Sequence, residues 1–335
     1  MNFWKNLPKP FSVLAPMEDV TDVVFREMVQ KFGRPDIFFT EFVNIDGLTS
    51  EKGFFAVSHR LKFLQNQKPV VAQIWGTNPE KFFKSAKTIS ELGFDGVDIN
   101  MGCPQRKIIK NGSCSALIKN PNLAKEIILA TRDGVGGLPL SVKTRIGFEK
   151  IITEEWISFL LEQNLDAIII HGRTQKEMSK VQCHWDEIGK AVLLKNQRNK
   201  NTIIVGNGDV ESFSEIEEKH KIFGVDGVMI GRGIFKNPWI FSGKNSEEIS
   251  KNEKLKFLIE HIKLFTKTWK ISSKSSISKK IQDEENMHYK NFSLMKKFFK
   301  IYINGWDGAS EFREKLNRLE DPEEIINLIQ SNIKT

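Results

Sequence analysis
Three residues stand out because their side chains are costly or reactive where the sequence puts them. Lys143 lies between Val142 and Thr144 in the run 140–147. An ammonium in a buried strand is expensive unless it faces a ligand or an acid. Three uses fit such a lysine: a Schiff base, a partner for a substrate carboxylate, or a counter-charge for a reduced flavin ring. Gln73 sits inside the apolar run 70–76. It brings both a donor and an acceptor, which suits the uracil-like edge of a flavin or of a pyrimidine. Cys103 stands in a Gly-Cys-Pro corner, as nucleophile or as acid. A thiol with a pKa of about 8.5 is mostly protonated near neutrality and can give a proton to a carbanion-like carbon. A Schiff-base enzyme has little need for the thiol, and a carboxylate site has little need for Gln73. No histidine and asparagine surround Cys103 in the manner of a cysteine protease. Cys114 and Cys183 read as inert buried thiols.

These residues need elements to hold them. Eight β-rich runs alternate with helical segments: 12–17, 37–44, 70–76, 96–103, 140–147, 167–174, 202–210 and 227–234. Most are continuous apolar stretches, as strands buried on both faces should be. Helical spacing is expected over 79–92, 121–132, 154–163 and 212–221. Pro79 and Pro121 each follow an asparagine, an N-cap with proline at the first helical position. Eight such units in about 230 residues match a (β/α)8 TIM barrel. A doubly wound open sheet is the alternative, but no GxGxxG follows Met17.

In such a barrel the chemistry lies at the C-terminal ends of the strands. Polar residues recur there: Glu18 after the first run, Asn100 and Cys103 at the fourth, Lys143 and Arg145 in the fifth. The sixth run ends in His171 and Arg173, the seventh in Asn207 and Asp209, and the eighth reaches Arg232. With Gln73 in the third run there are seven, and they cannot all be idle, because an unpaired buried polar group costs a few kcal/mol. The glycines of the last two ends, Gly206, Gly208, Gly231 and Gly233, would let backbone N–H groups approach a phosphate, with Arg232 adding charge.

After residue 243 glycine becomes scarce and lysine, phenylalanine and isoleucine dominate. The expected organisation is therefore a catalytic barrel over 1–243 and a small all-α domain over 244–335. Residues 271–280, rich in serine, lysine and isoleucine, read as a mobile loop. Between residues 261 and 300 there are ten lysines and three acids. Next to them Phe298, Phe299, Tyr302 and Trp306 suit a surface that grips a nucleic-acid backbone. The whole chain carries a net charge of +8, which permits a polyanionic partner. Hydrophobic residues at 40% exclude global disorder, and no run approaches the roughly 18 apolar residues of a membrane span. Three cysteines with no CxxC pair and no secretory signal read as reduced thiols in the cytoplasm, with no metal site expected.

The motifs taken together resemble the tRNA-dihydrouridine synthase family. The stretches are Leu14-Ala15-Pro16-Met17-Glu18, Thr40-Glu41-Phe42, Gly96-Val97-Asp98-Ile99-Asn100-Met101-Gly102-Cys103-Pro104 and Val142-Lys143-Thr144-Arg145-Ile146-Gly147. His171-Gly172-Arg173-Thr174, Asn207-Gly208-Asp209 and Met229-Ile230-Gly231-Arg232-Gly233 follow in the same order. The resemblance implies non-covalent FMN in a TIM barrel, NADPH as electron donor, and reduction of the C5–C6 double bond of a uridine in tRNA. It implies that Pro16, Met17 and Glu18 line the flavin, that Gln73 and Lys143 contact its polar edge, and that His171 lies beside it. Asn207, Gly208, Asp209, Gly231 and Arg232 would hold the phosphate end. Cys103 matches the general acid that protonates C5, and Asn100, Arg145 and Arg173 would place the uracil. Two departures are visible. The glycine-rich stretch after the cysteine reads Lys110-Asn111-Gly112-Ser113-Cys114-Ser115 here, and Ser179 stands where many members carry a tyrosine. The competing readings are a flavoenzyme of the same fold acting on a free pyrimidine or another small enone, and a non-catalytic RNA-binding module.

Overall fold
In the computed structural model, which describes residues 2–198, 200–271 and 289–333, the eight runs form eight parallel strands. They are β1 (Phe11–Leu14), β2 (Phe38–Asn44), β3 (Val70–Trp75) and β4 (Gly96–Met101). β5 (Leu140–Arg145), β6 (Ala167–His171), β7 (Ile203–Asn207) and β8 (Gly227–Ile230) complete the set. Neighbours run from β1 through β8 back down to β2. A bridge between Val13 and Ile37, with Leu14 N–H donating to the Ile37 carbonyl at 3.0 Å, closes the ring. The sheet is thus a (β/α)8 barrel and not an open one.

Several strands are shorter than the apolar runs suggest. Met17 leaves the ladder because its N–H donates to Thr21 Oγ1 at 2.9 Å and its carbonyl starts a turn. Arg173 N–H folds back onto the His171 carbonyl at 2.8 Å and ends β6. The expected helices appear as Pro79–Glu91, Pro121–Gly134, Thr153–Leu161 and Ser214–Phe223. Asn78 and Asn120 cap the first two, each side chain accepting the N–H three residues on.

Two kinds of layer fill the barrel interior. The lower one is apolar: Trp4, from a single turn ahead of β1, packs with Phe11, Phe39, Val71, Ile169 and Met229. Above it the interior becomes polar. Register places Asp98 level with Gln73 and Ser141, and Asn100 level with Lys143. His171 is level with Arg145 and Asn207. Apolar filling sets stability at the closed end, and the open end keeps the groups that can act.

Beyond the barrel lie the helices Lys251–Thr268, Ala309–Arg318 and Pro322–Gln330, with short helical turns at Ser293–Lys296 and Phe299–Tyr302. Lys270–Ile271 and Tyr289–Lys290 pair as two-residue parallel strands. Residues 272–280 of the stretch read as a mobile loop, with Lys274, Lys279 and Lys280, lie outside the described residues. The C-terminal helices share one core with the barrel helix Val23–Phe32. Phe32 packs against Trp239, Phe257 and Tyr302, with ring centres 5.2, 4.6 and 6.1 Å away. Phe25 stacks on Phe298 at 5.1 Å. Inside this seam Lys290 lies 2.9 Å from Asp22 and 3.8 Å from Glu41, and 4.5 Å over the Trp269 ring. No helix among the described residues is long and apolar enough to cross a membrane.

Candidate active site
A cleft of about 660 Å³ opens at the C-terminal ends of β1 and β5 to β8. Pro16 and Met17, Lys143 and Arg145, and His171 and Arg173 line it. The β7 and β8 ends add Asn207, Gly208, Asp209, Gly231 and Arg232. Pro104 reaches it from the β4 corner. Gln73, Asn100 and Cys103 do not line the cleft itself. Glu18 does not line it either, because Arg60 Nε donates to its Oε1 at 2.9 Å.

The lysine is held as its sequence position requires. Its Nζ donates to Asn207 Oδ1 at 2.9 Å, and Asn207 Nδ2 donates to the Met229 carbonyl at 2.8 Å. Asn207 therefore orients Lys143, and both ends of its own side chain are engaged. Burial, helped by the neighbouring Arg145, brings the Lys143 pKa down to about 8, while Asp98 and Cys103 oppose the fall. Burial, with Arg145 and Lys143 nearby, holds His171 well below the usual imidazole range. Its neutral ring sits with Nε2 3.2 Å from Arg173 Nη1.

The arginines are largely engaged within the chain. Arg145 donates from Nε to the Gly102 carbonyl at 2.7 Å and from Nη1 to the Thr174 and Met178 carbonyls at 2.9 and 3.1 Å. It ties the β4 corner to the loop after β6. Arg173 is buried, donates to the Val181 carbonyl, and pairs with Asp209. Asp209 also accepts from the Cys183 N–H at 2.9 Å and lies 3.8 Å from Arg232. Asp209 thus positions two cations, and Arg232 remains exposed at the rim. Gly208 adopts φ +132°, and a Cβ there would come 2.6 Å from Cys183 Sγ, so only glycine fits.

Cys103 and Cys114 are both buried. The Cys114 side chain, against the opposing effect of burial and with help from the Gln105 N–H, Arg145 and Lys143, brings the Cys103 pKa down to about 7. The Cys114 thiol is pushed well up by its own burial and by Cys103. Cys114 also holds a left-handed backbone, φ 55°, which few side chains adopt. The reading of Cys114 as a buried thiol holds, while its influence on Cys103 was not legible, because eleven positions along the chain say nothing about which side chains come close.

Two acids were also not singled out by sequence. Asp98 is buried at the centre of β4, and burial raises its pKa to about 7 against hydrogen bonds from Ser141 and Gln73. Glu41 is buried beside the Lys290 seam, and burial raises it to about 7 although Lys290 pulls the other way. The signal for both was present: a carboxylate inside an apolar strand run is as anomalous as Lys143. Among the described residues no cluster of three or more His, Cys, Asp or Glu could hold a metal.

A closed parallel barrel whose titratable groups gather at one open end is the architecture of TIM-barrel enzymes. Comparison narrows the class. The family model described as dihydrouridine synthase (Dus) matches residues 13–335, and the chain belongs to that family. A probable tRNA-dihydrouridine synthase of Staphylococcus aureus (strain COL) is 44% identical over 316 residues, covering 94% of this chain and 90% of the relative. A probable tRNA-dihydrouridine synthase 2 of Bacillus subtilis (strain 168) is 43% identical over 329 residues, covering 98% and 95%. In fold, the chain is similar to histamine dehydrogenase from Rhizobium sp. 4-9, with a TM-score of 0.52 at 11% identity over 75% of this chain and 48% of that one.

Proposed function
We propose that the chain reduces the C5–C6 double bond of a uridine in tRNA to 5,6-dihydrouridine, with FMN held non-covalently in the cleft and NADPH as the electron donor. The observation that carries this reading is the cleft itself, in a chain of the dihydrouridine synthase family. Its floor holds a half-buried ammonium, its rim holds Gly208, Gly231 and an exposed Arg232, and a thiol corner adjoins it. These residues fit the cofactor. Lys143 has three N–H groups, and among the described residues only Asn207 takes one, which leaves donors for an electron-rich ring edge. Gly208, Gly231 and Arg232 offer backbone room and charge for a phosphate. Pro16 and Met17 supply an apolar wall. Reduced FMN, when bound, supplies the hydride that uracil C6 takes up.

The chain's own residues do the rest. Lys143 opposes negative charge at the floor, and neutral His171 can accept or donate without adding charge. Cys103 Sγ holds the proton that passes to C5 as charge develops on C5 and O4. Asn100, Arg145 and Arg173 shape the corner that receives the base. A uridine stacked in folded tRNA has to leave its stack to reach this depth. The helical segment 244–335 is the part that grips the tRNA, while residues 1–243 carry the chemistry.

Mapping dihydrouridine in total tRNA tests the reading. Cells lacking the gene should lose the modification at one or more positions and regain it with the wild-type gene. The purified protein should be yellow and release FMN. An unchanged dihydrouridine map with a colourless protein would overturn the assignment, and turnover of free uridine would move it to the small-molecule reading.

A further inference from the structure
Asp98 lies inside the barrel, fully buried, with no contact to the cleft. Its Oδ2 accepts from Gln73 Nε2 at 2.7 Å, and its Oδ1 accepts from Ser141 Oγ at 2.6 Å. A glutamine side chain has a donor end and an acceptor end. Fixing the donor end on a carboxylate therefore decides where the acceptor end goes. Here Gln73 Oε1 accepts from Asn100 Nδ2 at 2.8 Å. The same logic applies one step on. With its amide N–H given to Gln73, Asn100 presents Oδ1 to the backbone, where it accepts from the Gly102 and Cys103 N–H groups at 3.0 and 2.9 Å. An unbroken line of hydrogen bonds joins Asp98 to the corner that carries the thiol, and every amide in it is oriented by the one before.

We propose that Asp98 is a positioning residue for Cys103: its carboxylate sets the orientation of Gln73, Gln73 sets that of Asn100, and Asn100 fixes the Gly102–Cys103 backbone. The relay also holds the fully buried Gln73 in one orientation. Without the carboxylate both amides can flip, and the corner loses an acceptor for two N–H groups. Asp98 further supplies negative charge that favours the charged form of Lys143 one layer above. The value of this geometry to catalysis rests on the function proposed above, but the geometry does not.

Residue-resolved amide hydrogen exchange on the full chain as purified tests it, with no tRNA present. In Asp98→Ala the Gly102 and Cys103 amides should exchange about fivefold to tenfold faster, the equivalent of one ordinary hydrogen bond. Val205 on β7, across the barrel, should be unaffected. Asp98→Asn keeps an oxygen for Gln73 and can turn its amide N–H to Ser141 Oγ, which accepts equally well. It should restore protection to within about twofold of wild type. Iodoacetamide alkylation of Cys103, followed by mass spectrometry, should change its pH profile in Asp98→Ala and less in Asp98→Asn. If Asp98→Ala does not fold, Gln73→Leu cuts the relay at its middle and should deprotect the same two amides. Unchanged exchange at Gly102 and Cys103, or an equal rise at Val205, overturns the relay. A protein that shows the local deprotection but makes no dihydrouridine keeps the relay and loses the proposed reaction, so the two failures are distinguishable.

Discussion

At the scale of single residues, the pair of thiols carries the sharpest consequences. A general acid must be protonated to act. With Cys103 at about 7, the competent form is present below that pH and lost as pH rises through it. The rate of reoxidation of reduced enzyme by unmodified tRNA should therefore fall above neutrality, with an apparent pKa near 7. Cys114 is the largest cause of that low value, so Cys114→Gly should move the limb up toward the ordinary thiol range, about 8.5. Glycine also suits the left-handed backbone at this position, which offsets part of the cost of deleting a buried side chain. A limb that stays in place would remove Cys114 from the account. Cys103→Ala is the complement: flavin content and reduction by NADPH should be retained, while stopped-flow reoxidation by tRNA slows by on the order of two decades or more. Full activity in Cys103→Ala would place the acid elsewhere.

At the scale of elements, the barrel was legible and the seam was not. Eight apolar runs interrupted by Asn-Pro helix starts specify (β/α)8 because parallel strands must be buried on both faces. Lys143, Gln73 and Cys103 were legible as anomalies in those runs. Gln73 and Asn100, however, turned out to face other protein groups, since spacing along a strand cannot show which amide meets which carboxylate. Lys290 is the clearest miss. Counted in a basic window, it is in fact buried against Asp22, Glu41 and Trp269, because a two-residue strand pairing that no periodicity announces folds it inward. Lys290→Met should leave Asp22 and Glu41 without their cation and cost about 3 kcal/mol, read by chemical denaturation. A loss under about 0.5 kcal/mol would assign the lysine to a solvated surface. The same seam buries His261, whose Nδ1 lies 3.0 Å from the Tyr302 hydroxyl and whose pKa burial lowers to about 4. The unfolded imidazole takes its proton near 6.5 and the folded one only near 4. The stability it contributes is therefore present above about 6.5 and is lost as pH falls through 4, about 3 kcal/mol in all. Asp98 and Glu41, both raised to about 7, act in the opposite sense over this window, so the comparison has to be differential. Relative to wild type, His261→Phe should gain stability steadily from pH 6.5 down to 4. A difference independent of pH would mean that His261 is not held neutral.

At the scale of the whole molecule, the excess of eight positive charges matters through where it is exposed. Lys290 faces inward, and Lys296 donates to the Asn317 carbonyl at 2.8 Å. Lys263 and Lys267 are exposed one turn apart on the helix Lys251–Thr268, and Lys297 and Lys300 are exposed at the turn Phe299–Tyr302 and just before it. At the cleft's edge Arg106, Lys107 and Lys110 are exposed, and residues 103–120 contain no acid. A polyanion reaching Cys103 thus meets cations on the tail and beside the thiol, and releases bound counterions from both. Each phosphate contact adds about 0.7–0.9 to the slope of log affinity against log salt. Replacing Lys263, Lys267, Lys297 and Lys300 together by glutamine should flatten that slope by about one unit for each lysine or two that touches a phosphate, and should weaken tRNA binding most at low salt. None of these side chains lines the cleft, so turnover on saturating tRNA should stay near wild type while KM rises. Lys290→Met should leave the slope alone if the protein stays folded, since a buried cation releases no counterions. Filter binding of unmodified tRNA across a salt series reads all of this. An unchanged slope in the fourfold variant would mean that the tail's lysines only solvate the fold, and that the basic segment after Cys103 carries the grip.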